Sequence, residues 1–298
     1  MNTELGPDVE LVRHRPAGLG GLVAGVVGLR ERSTAVIERR QPAGSLTMVR
    51  LSLGDRLAVT DLAVGEGAGR SYESFVAGFM PGHSGTRYSG GQDCIQLYLT
   101  PRGVRRLLGV PSSELAERLV DLTDVASLLG GTLTDQLTDK ADWSARFACL
   151  DTLLWRLAAA GKDADLATDH LWRRIWTTSG RVSVADLVEE SGWSHRRLIA
   201  RLRAHVGVSP KAAAAVVRFE HALHALGSAD GTPGLADIAA LHGYADQSHL
   251  TRDFARYAGA SPAAIRRGTV ATAWTALGRG PAAKGASCTA RLIPVSSS

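Results

Sequence analysis

The sequence predicts an α+β chain of two domains: a β-rich N-terminal barrel or sandwich and an all-α C-terminal domain, joined by a helical connector. Three observations carry this. Short apolar runs cut by turn residues fill the first hundred or so positions. The apolar spacing changes to a helical period after Pro101. A segment of the last third of the chain is repeated within itself. The expected divisions are a β-rich domain over 1–135, a helical connector over 136–169, an all-α domain over 170–268 and a flexible tail over 269–298.

In the N-terminal part the apolar runs are Gly21–Leu29, Leu46–Leu53, Leu57–Leu62, Tyr72–Met80 and Cys94–Leu99. Turn-forming stretches at 42–45, 65–67 and 89–91 separate them, as in a sandwich or barrel of short strands. In the last run Gln96 and Tyr98 alternate with Ile95 and Leu97, so one pair faces the interior. The alternation does not decide which pair, and Gln and Tyr outward is the ordinary arrangement. From Pro101 the stripe Val104, Leu107, Leu108 is helical, and Phe147, Leu150, Leu153, Leu154 and Leu157 repeat at helical spacing. The second stripe suits either core packing or a dimer helix. Beyond Gly268 the chain turns to Ala, Gly, Ser and Thr, the composition of a flexible tail.

Composition bounds what the chain does. Its 298 residues are 45% hydrophobic and 21% charged, the range of folded soluble proteins. Cys94, Cys149 and Cys288 lie far apart with no CxxC pair, which excludes a disulfide framework and a Cys-rich zinc module. Glu4, Asp8 and Glu10 stand where a secretory signal would be basic, and the longest apolar run, Ala17–Leu29, has five glycines in 13 residues. The expectation is a cytoplasmic protein with no membrane partner. The net charge of +5 is localised: residues 170–268 hold 13 Lys and Arg against 8 Asp and Glu, and the remainder balances. Of the 34 basic residues 30 are Arg, whose planar fork suits phosphate and guanine. A basic domain hints at nucleic acid but equally fits a solvated surface.

The repeat decides between these. Ala185-Asp186-Leu187-Val188-Glu189-Glu190-Ser191-Gly192-Trp193 is echoed 51 positions later by Ala236-Asp237-Ile238-Ala239-Ala240-Leu241-His242-Gly243-Tyr244. Each copy reads as a two-turn helix ended by a glycine suited to a left-handed turn, and Ser183 with Asp186 makes a capping box for the first. A second helix follows in each, with Leu198 and Leu202 or Leu250 and Phe254 four apart, and then Gly207-Val208-Ser209-Pro210 or Gly259-Ala260-Ser261-Pro262. Two short helices joined by a glycine turn, the second with one buried face, form the helix-turn-helix pattern, here twice. Between the copies Ser209 caps and Pro210 starts a helix of residues 210–226, roughly 25 Å long. Such a linker would set the two second helices apart by a distance suited to successive major grooves, about 34 Å from one to the next.

These residues resemble the DNA-binding domain of AraC/XylS-type transcriptional regulators. The resemblance lies in Val208-Ser209-Pro210, Arg218, Ile238-Ala239, Gly243-Tyr244, Asp246, Ser248-His249-Leu250, Arg252, Phe254, Gly259 and Ser261-Pro262, and covers about a third of the chain. The sequence departs from the family in Leu202, where an aromatic is common, and in Ala213 and Ala214, where a larger pair is usual. The resemblance implies a nucleoid-associated regulator with no catalytic residues, cofactor or metal, and a cupin-like N-terminal domain that senses a small molecule or pairs two chains. It implies duplex DNA as partner, and RNA polymerase as well if the regulator activates. The segment Leu99-Thr100-Pro101 to Leu115 looks like a connector found in some members.

With Leu198 and Leu202 inward, Arg196, Ala200 and Arg203 form one outward stripe of the first recognition helix, about Ser194 to His205, and Arg197 and Arg201 the next. The resemblance implies contacts from Arg196, Ile199, Ala200 and Arg203. Chemistry favours Arg196 for a bidentate guanine contact and Ile199 and Ala200 for thymine methyls. Ser194 and Arg197 join this set, Arg197 and Arg201 serving phosphate or salt bridges. In the second copy Gln247, Ser248, Thr251 and Arg252 face out, Gln247 suited to adenine and Arg252 to guanine or phosphate, while His249 packs. The rival readings are a cupin-type metal enzyme with a fused helical domain, a DNA-alkylation repair fusion and a ligand-independent architectural DNA binder. A cupin metal site needs clustered ligands, and residues 1–169 hold only His14 and His83, far apart. A repair enzyme needs a reactive thiol, and Cys94 and Cys149 lie in apolar runs.

Overall fold

The computed structural model describes residues 8–126, 129, 131–162, 165–227 and 233–267; the tail read at 269–298 and Cys288 lie outside the described residues. Among the described residues ten strands come first: β1 (Asp8–His14), β2 (Val23–Arg32), β3 (Ile37–Gln41), β4 (Thr47–Ser52), β5 (Leu57–Leu62), β6 (Arg70–Tyr72), β7 (Phe75–Ala77), β8 (Ser84–Tyr88), β9 (Gly91–Leu99) and, after a short helical stretch, β10 (Leu119–Asp121). They form two antiparallel sheets, one ordered β1-β2-β9-β4-β7-β10 and the other β3-β8-β5-β6. Six of these strands overlap the apolar runs of the sequence, β6 by Tyr72 alone. The others are short or polar, as in β3, where only Ile37 is buried.

The two sheets enclose a cavity of about 140 Å³. The larger sheet contributes Leu11, Leu29, Met48, Arg50, Phe75, Gln96 and Tyr98 to its wall, and the smaller Arg39, Leu57, Val59 and Thr86. Gln96 and Tyr98 therefore point inward, against the ordinary expectation. The reason is that both faces of β9 are covered. Ile95, Leu97 and Leu99 pack outward with Val49 and Leu51 beneath helices. A strand buried on both sides gives its polar face to whichever side is a cavity.

The covering helices are α1 (Pro101–Gly103), which continues as a π-helical turn (Val104–Leu108), and α5 (Trp143–Ala160). Between them lie α2 (Ser112–Leu115), α3 (Leu122–Val125) and α4 (Thr132–Thr138). Trp143, Phe147, Leu150 and Leu154 of α5 join the outer core of the larger sheet, so the helical stripe of that region is core packing, with Trp155 left 50% exposed. The next helix, α6 (Leu166–Thr177), puts Leu171, Trp172 and Ile175 into a different core.

That second core belongs to α7 (Val184–Ser191), α8 (His195–Val206), α9 (Pro210–Gly227), α10 (Leu235–Leu241), α11 (Gln247–Ala258) and α12 (Pro262–Arg266). Val216, Val217, Phe219 and Leu223 of α9 run through its centre, and Phe219 meets Phe254 edge-on at 5.1 Å. Leu202 is 1% exposed, so the smaller side chain packs where an aromatic is common. The β domain reaches into this core: Phe79 stands edge-on to Trp172 at 6.5 Å, and Ala43 joins the same cluster. The Ala43 amide donates to the Tyr257 carbonyl at 2.7 Å. No described helix is long and apolar enough to cross a membrane.

Candidate nucleic-acid interface

Each copy of the sequence repeat is a pair of helices. In the first, the Ser183 hydroxyl accepts from the Asp186 amide, and the Asp186 carboxylate accepts from the Ser183 amide, closing the box that starts α7. These hydrogen bonds hold the Asp186 carboxyl below the usual carboxylate range. Gly192 at φ 65° and Gly243 at φ 73° make the left-handed turns into α8 and α11. Asp246 caps α11, its carboxylate accepting from the His249 amide at 2.6 Å.

On α8, Leu198, Leu202 and Val206 are buried, while Arg196, Arg197, Ala200, Arg201 and Arg203 are exposed and Ile199 is half-buried. Ser194 stands one residue before the helix as its N-cap, and its hydroxyl accepts from the Arg197 amide at 3.3 Å. The hydroxyl is therefore already engaged in holding the helix start. Arg197 and Arg201 stack on Trp193, at 5.1 and 5.6 Å from its ring, and Arg201 reaches Asp165 at 3.5 Å. Burial acts to raise the Asp165 carboxyl, but hydrogen bonds from Thr168 and the charge of Arg201 leave it below its ordinary value. Arg196 and Arg203 make none of these contacts, which separates the outer stripe from the buttressed one. The role of Trp193 was not read from the sequence, although an aromatic just before an Arg-rich helix was the signal for it.

On α11, Leu250, Phe254, Tyr257 and Ala258 are buried, and Gln247, Ser248 and Arg252 are exposed. Thr251 is half-buried, and its hydroxyl donates to the Gln247 carbonyl at 2.9 Å. The Arg252 Nε donates to the Ser248 carbonyl at 3.3 Å, which lays the side chain along the helix surface. His249 packs edge-on to Tyr244 at 5.1 Å and takes the Ala245 amide on Nδ1, the packing role expected for it. Arg218 of α9 lies over the Tyr244 ring at 5.1 Å. The two exposed helix faces are thus built alike, each from a capped start, a buried stripe and an outward set of polar and basic side chains.

Residues 187–268 match the model of a helix-turn-helix domain. The segment is a helix-turn-helix domain. Among solved structures the chain is similar to ToxT from Vibrio cholerae, 11% identical over 88% of this chain and 97% of that one, with a TM-score of 0.47. It is also similar to the C-terminal domain of AraT, a response regulator from Geobacillus stearothermophilus, 20% identical over 36% of this chain and 88% of that one, with a TM-score of 0.33. A third similarity is to the AraC-like transcriptional activator CuxR, 14% identical over 68% of this chain and 83% of that one, with a TM-score of 0.28. No curated protein sequence matches the chain. Within the helix-turn-helix domain α8 and α11 occupy the place of recognition helices, and α9 is the helix between the two motifs.

Proposed function

We propose that the protein is a sequence-specific DNA-binding transcriptional regulator that lays α8 and α11 in two successive major grooves. The observation that carries this is the duplicated motif, in which each second helix buries one stripe and leaves its opposite face free. Arg196, Ile199, Ala200 and Arg203 are the base-reading set of α8, with Ser194 and Arg197 at the groove edge. Gln247, Ser248, Thr251 and Arg252 are the set of α11. The linker helix α9, 18 residues and so about 27 Å long, holds the two apart. Phosphate contacts fix the register and base-edge contacts specify the site. RNA polymerase becomes a further partner if the regulator activates.

The N-terminal domain is the regulatory part. Its cavity is walled in part by Gln41, Pro42, Ala43, Gly44 and Leu46, and the same loop holds the Tyr257 carbonyl at the end of α11. A small molecule in the cavity would press on the segment that docks the recognition domain. A second copy of the chain could instead pair through the N-terminal domain, where Trp155 of α5 is exposed.

In vitro selection from random duplex DNA with the full chain tests the reading. The expected result is a motif of two half-sites about 10 bp apart, the spacing of one helical turn. A library with no enriched motif overturns it.

A further inference from the structure

We propose that the cavity between the sheets binds a compact organic monoanion, a monocarboxylate of ring or six-carbon size, with its charge on Arg50. This rests on the reading of the N-terminal domain as a small-molecule sensor and names the chemistry of what it senses.

Arg50 lies on β4, is 1% exposed and lines the cavity. Its Nη1 donates to the Glu73 carbonyl at 2.8 Å and its Nη2 to the Gln92 side chain at a long 3.4 Å, while its Nε has no partner. Among the described residues no carboxylate forms an ion pair with it within 4.0 Å. Arg39, on the opposite wall, is the internal comparison. It pairs with Glu31, whose side chain is 0% exposed. One buried cation is therefore neutralised by the protein, and the other faces an apolar hollow with a donor unused. A buried charge without a counter-ion is a costly arrangement, and an anionic ligand group supplies what is missing.

The rest of the wall sets the shape of the ligand. Gln96 and Tyr98 satisfy each other, the Tyr98 hydroxyl donating to the Gln96 side-chain oxygen at 2.7 Å, and burial keeps that phenol protonated. Leu57, Val59, Phe75, Met80 and Leu119 offer apolar surface for the body of the ligand. At about 140 Å³ the cavity is close to the ~150 Å³ apolar hollow that accepts benzene in another protein, which confines the ligand to one ring or a short chain.

The test titrates the full chain with benzoate and hexanoate, each against its neutral amide, benzamide and hexanamide, by calorimetry at pH 7. At least one acid is expected to bind tenfold or more tighter than its own amide. Arg50→Gln should abolish that preference and Arg50→Lys restore part of it. The acid-to-amide ratio in the unaltered protein needs no variant and stands even if Arg50→Gln does not fold. If neither acid binds tighter than its own amide, the charge assignment is overturned and the sensor reading stays intact. If none of the four binds, the assignment also falls. The sensor reading falls with it only if filling the cavity with Ala77→Leu leaves affinity for the selected DNA unchanged.

Discussion

Ser45 and Glu220 lie 175 positions apart, yet the Ser45 amide and hydroxyl both donate to the Glu220 carboxylate at 2.6 Å. Ser45 is 2% exposed and Glu220 1%. The contact pins the loop between β3 and β4, part of the cavity wall, to the helix that spaces the two recognition helices. Charge-assisted bonds of this kind are stronger than neutral ones, and a buried donor left without its acceptor costs about 1–3 kcal/mol. Glu220→Ala should therefore lower stability by about that amount in urea denaturation, and Glu220→Gln by less because one acceptor remains. A Glu220→Ala curve that overlays the unaltered protein's would remove this contact from the account of how the domains dock.

Arg196 and Arg201 separate by their surroundings. Arg201 is held by Asp165 and Trp193, whereas Arg196 makes neither contact. Arg196→Ala should weaken binding to the selected site by about 1–3 kcal/mol and relax one base position. Arg201→Ala should weaken binding to all duplexes alike. Gel-shift titrations on a set of single-base variants of the site distinguish the two, and equal, sequence-independent losses would reverse the assignment of Arg196.

Gly192 and Gly207 both have positive φ, at 65° and 97°, but only one is crowded. A Cβ at Gly192 meets open space, while one at Gly207 would lie 2.2 Å from the Ala116 side chain of the β domain. Gly192→Ala should cost about 1–2 kcal/mol of backbone strain alone. Gly207→Ala should cost more, because the strain is joined by a collision between domains. Thermal melts of the two variants give the order, and equal melting temperatures would mean that the domains separate at no cost.

Asp253 carries an opposite pH signature to most carboxylates. Burial raises its carboxyl above the ordinary value, against the charges of His249, Arg218, Arg256 and Arg252. A raised carboxylate binds its proton more tightly folded than unfolded, so its contribution to stability falls as pH rises above its ordinary value of about 4. Asp253→Asn removes that penalty. The variant should melt higher than the unaltered protein at pH 7, and the gap should close toward pH 3. A gap that widens on acidification would reverse the sign of the burial effect.

The recognition domain was legible because its signals are local. Gly192, Gly243, Ser209-Pro210 and Ser261-Pro262 punctuate the chain within a few residues of the turns they make, and Leu198, Leu202, Leu250 and Phe254 mark the buried stripes. The β domain was legible only where strands are apolar. β3 buries only Ile37, and β8 buries Thr86 and Tyr88 among small and charged neighbours, so neither strand leaves an apolar run to see. The inward turn of Gln96 and Tyr98 depended on helices that cover the far face of β9, which a strand's own alternation does not report. Arg50 did leave a trace, a lone cation inside the run Leu46–Leu53. The Ser45–Glu220 contact left none, since it joins residues on different domains.

The alternation along β9 divides that strand into two independent inventories. Ile95, Leu97 and Leu99 answer to the helices behind the sheet, and Gln92, Gln96 and Tyr98 answer to the hollow in front of it. Substitutions at Gln92 and Gln96 can change what the hollow accepts while Ile95, Leu97 and Leu99 stay packed beneath the helices, whereas Tyr98 also packs with Val27 and Leu46. On the proposed reading of the hollow as an effector site, a fold wired this way can drift from one effector to another while its DNA-reading half stays constant, and variants with altered effector preference should map to Gln92, Gln96 and Tyr98 of β9.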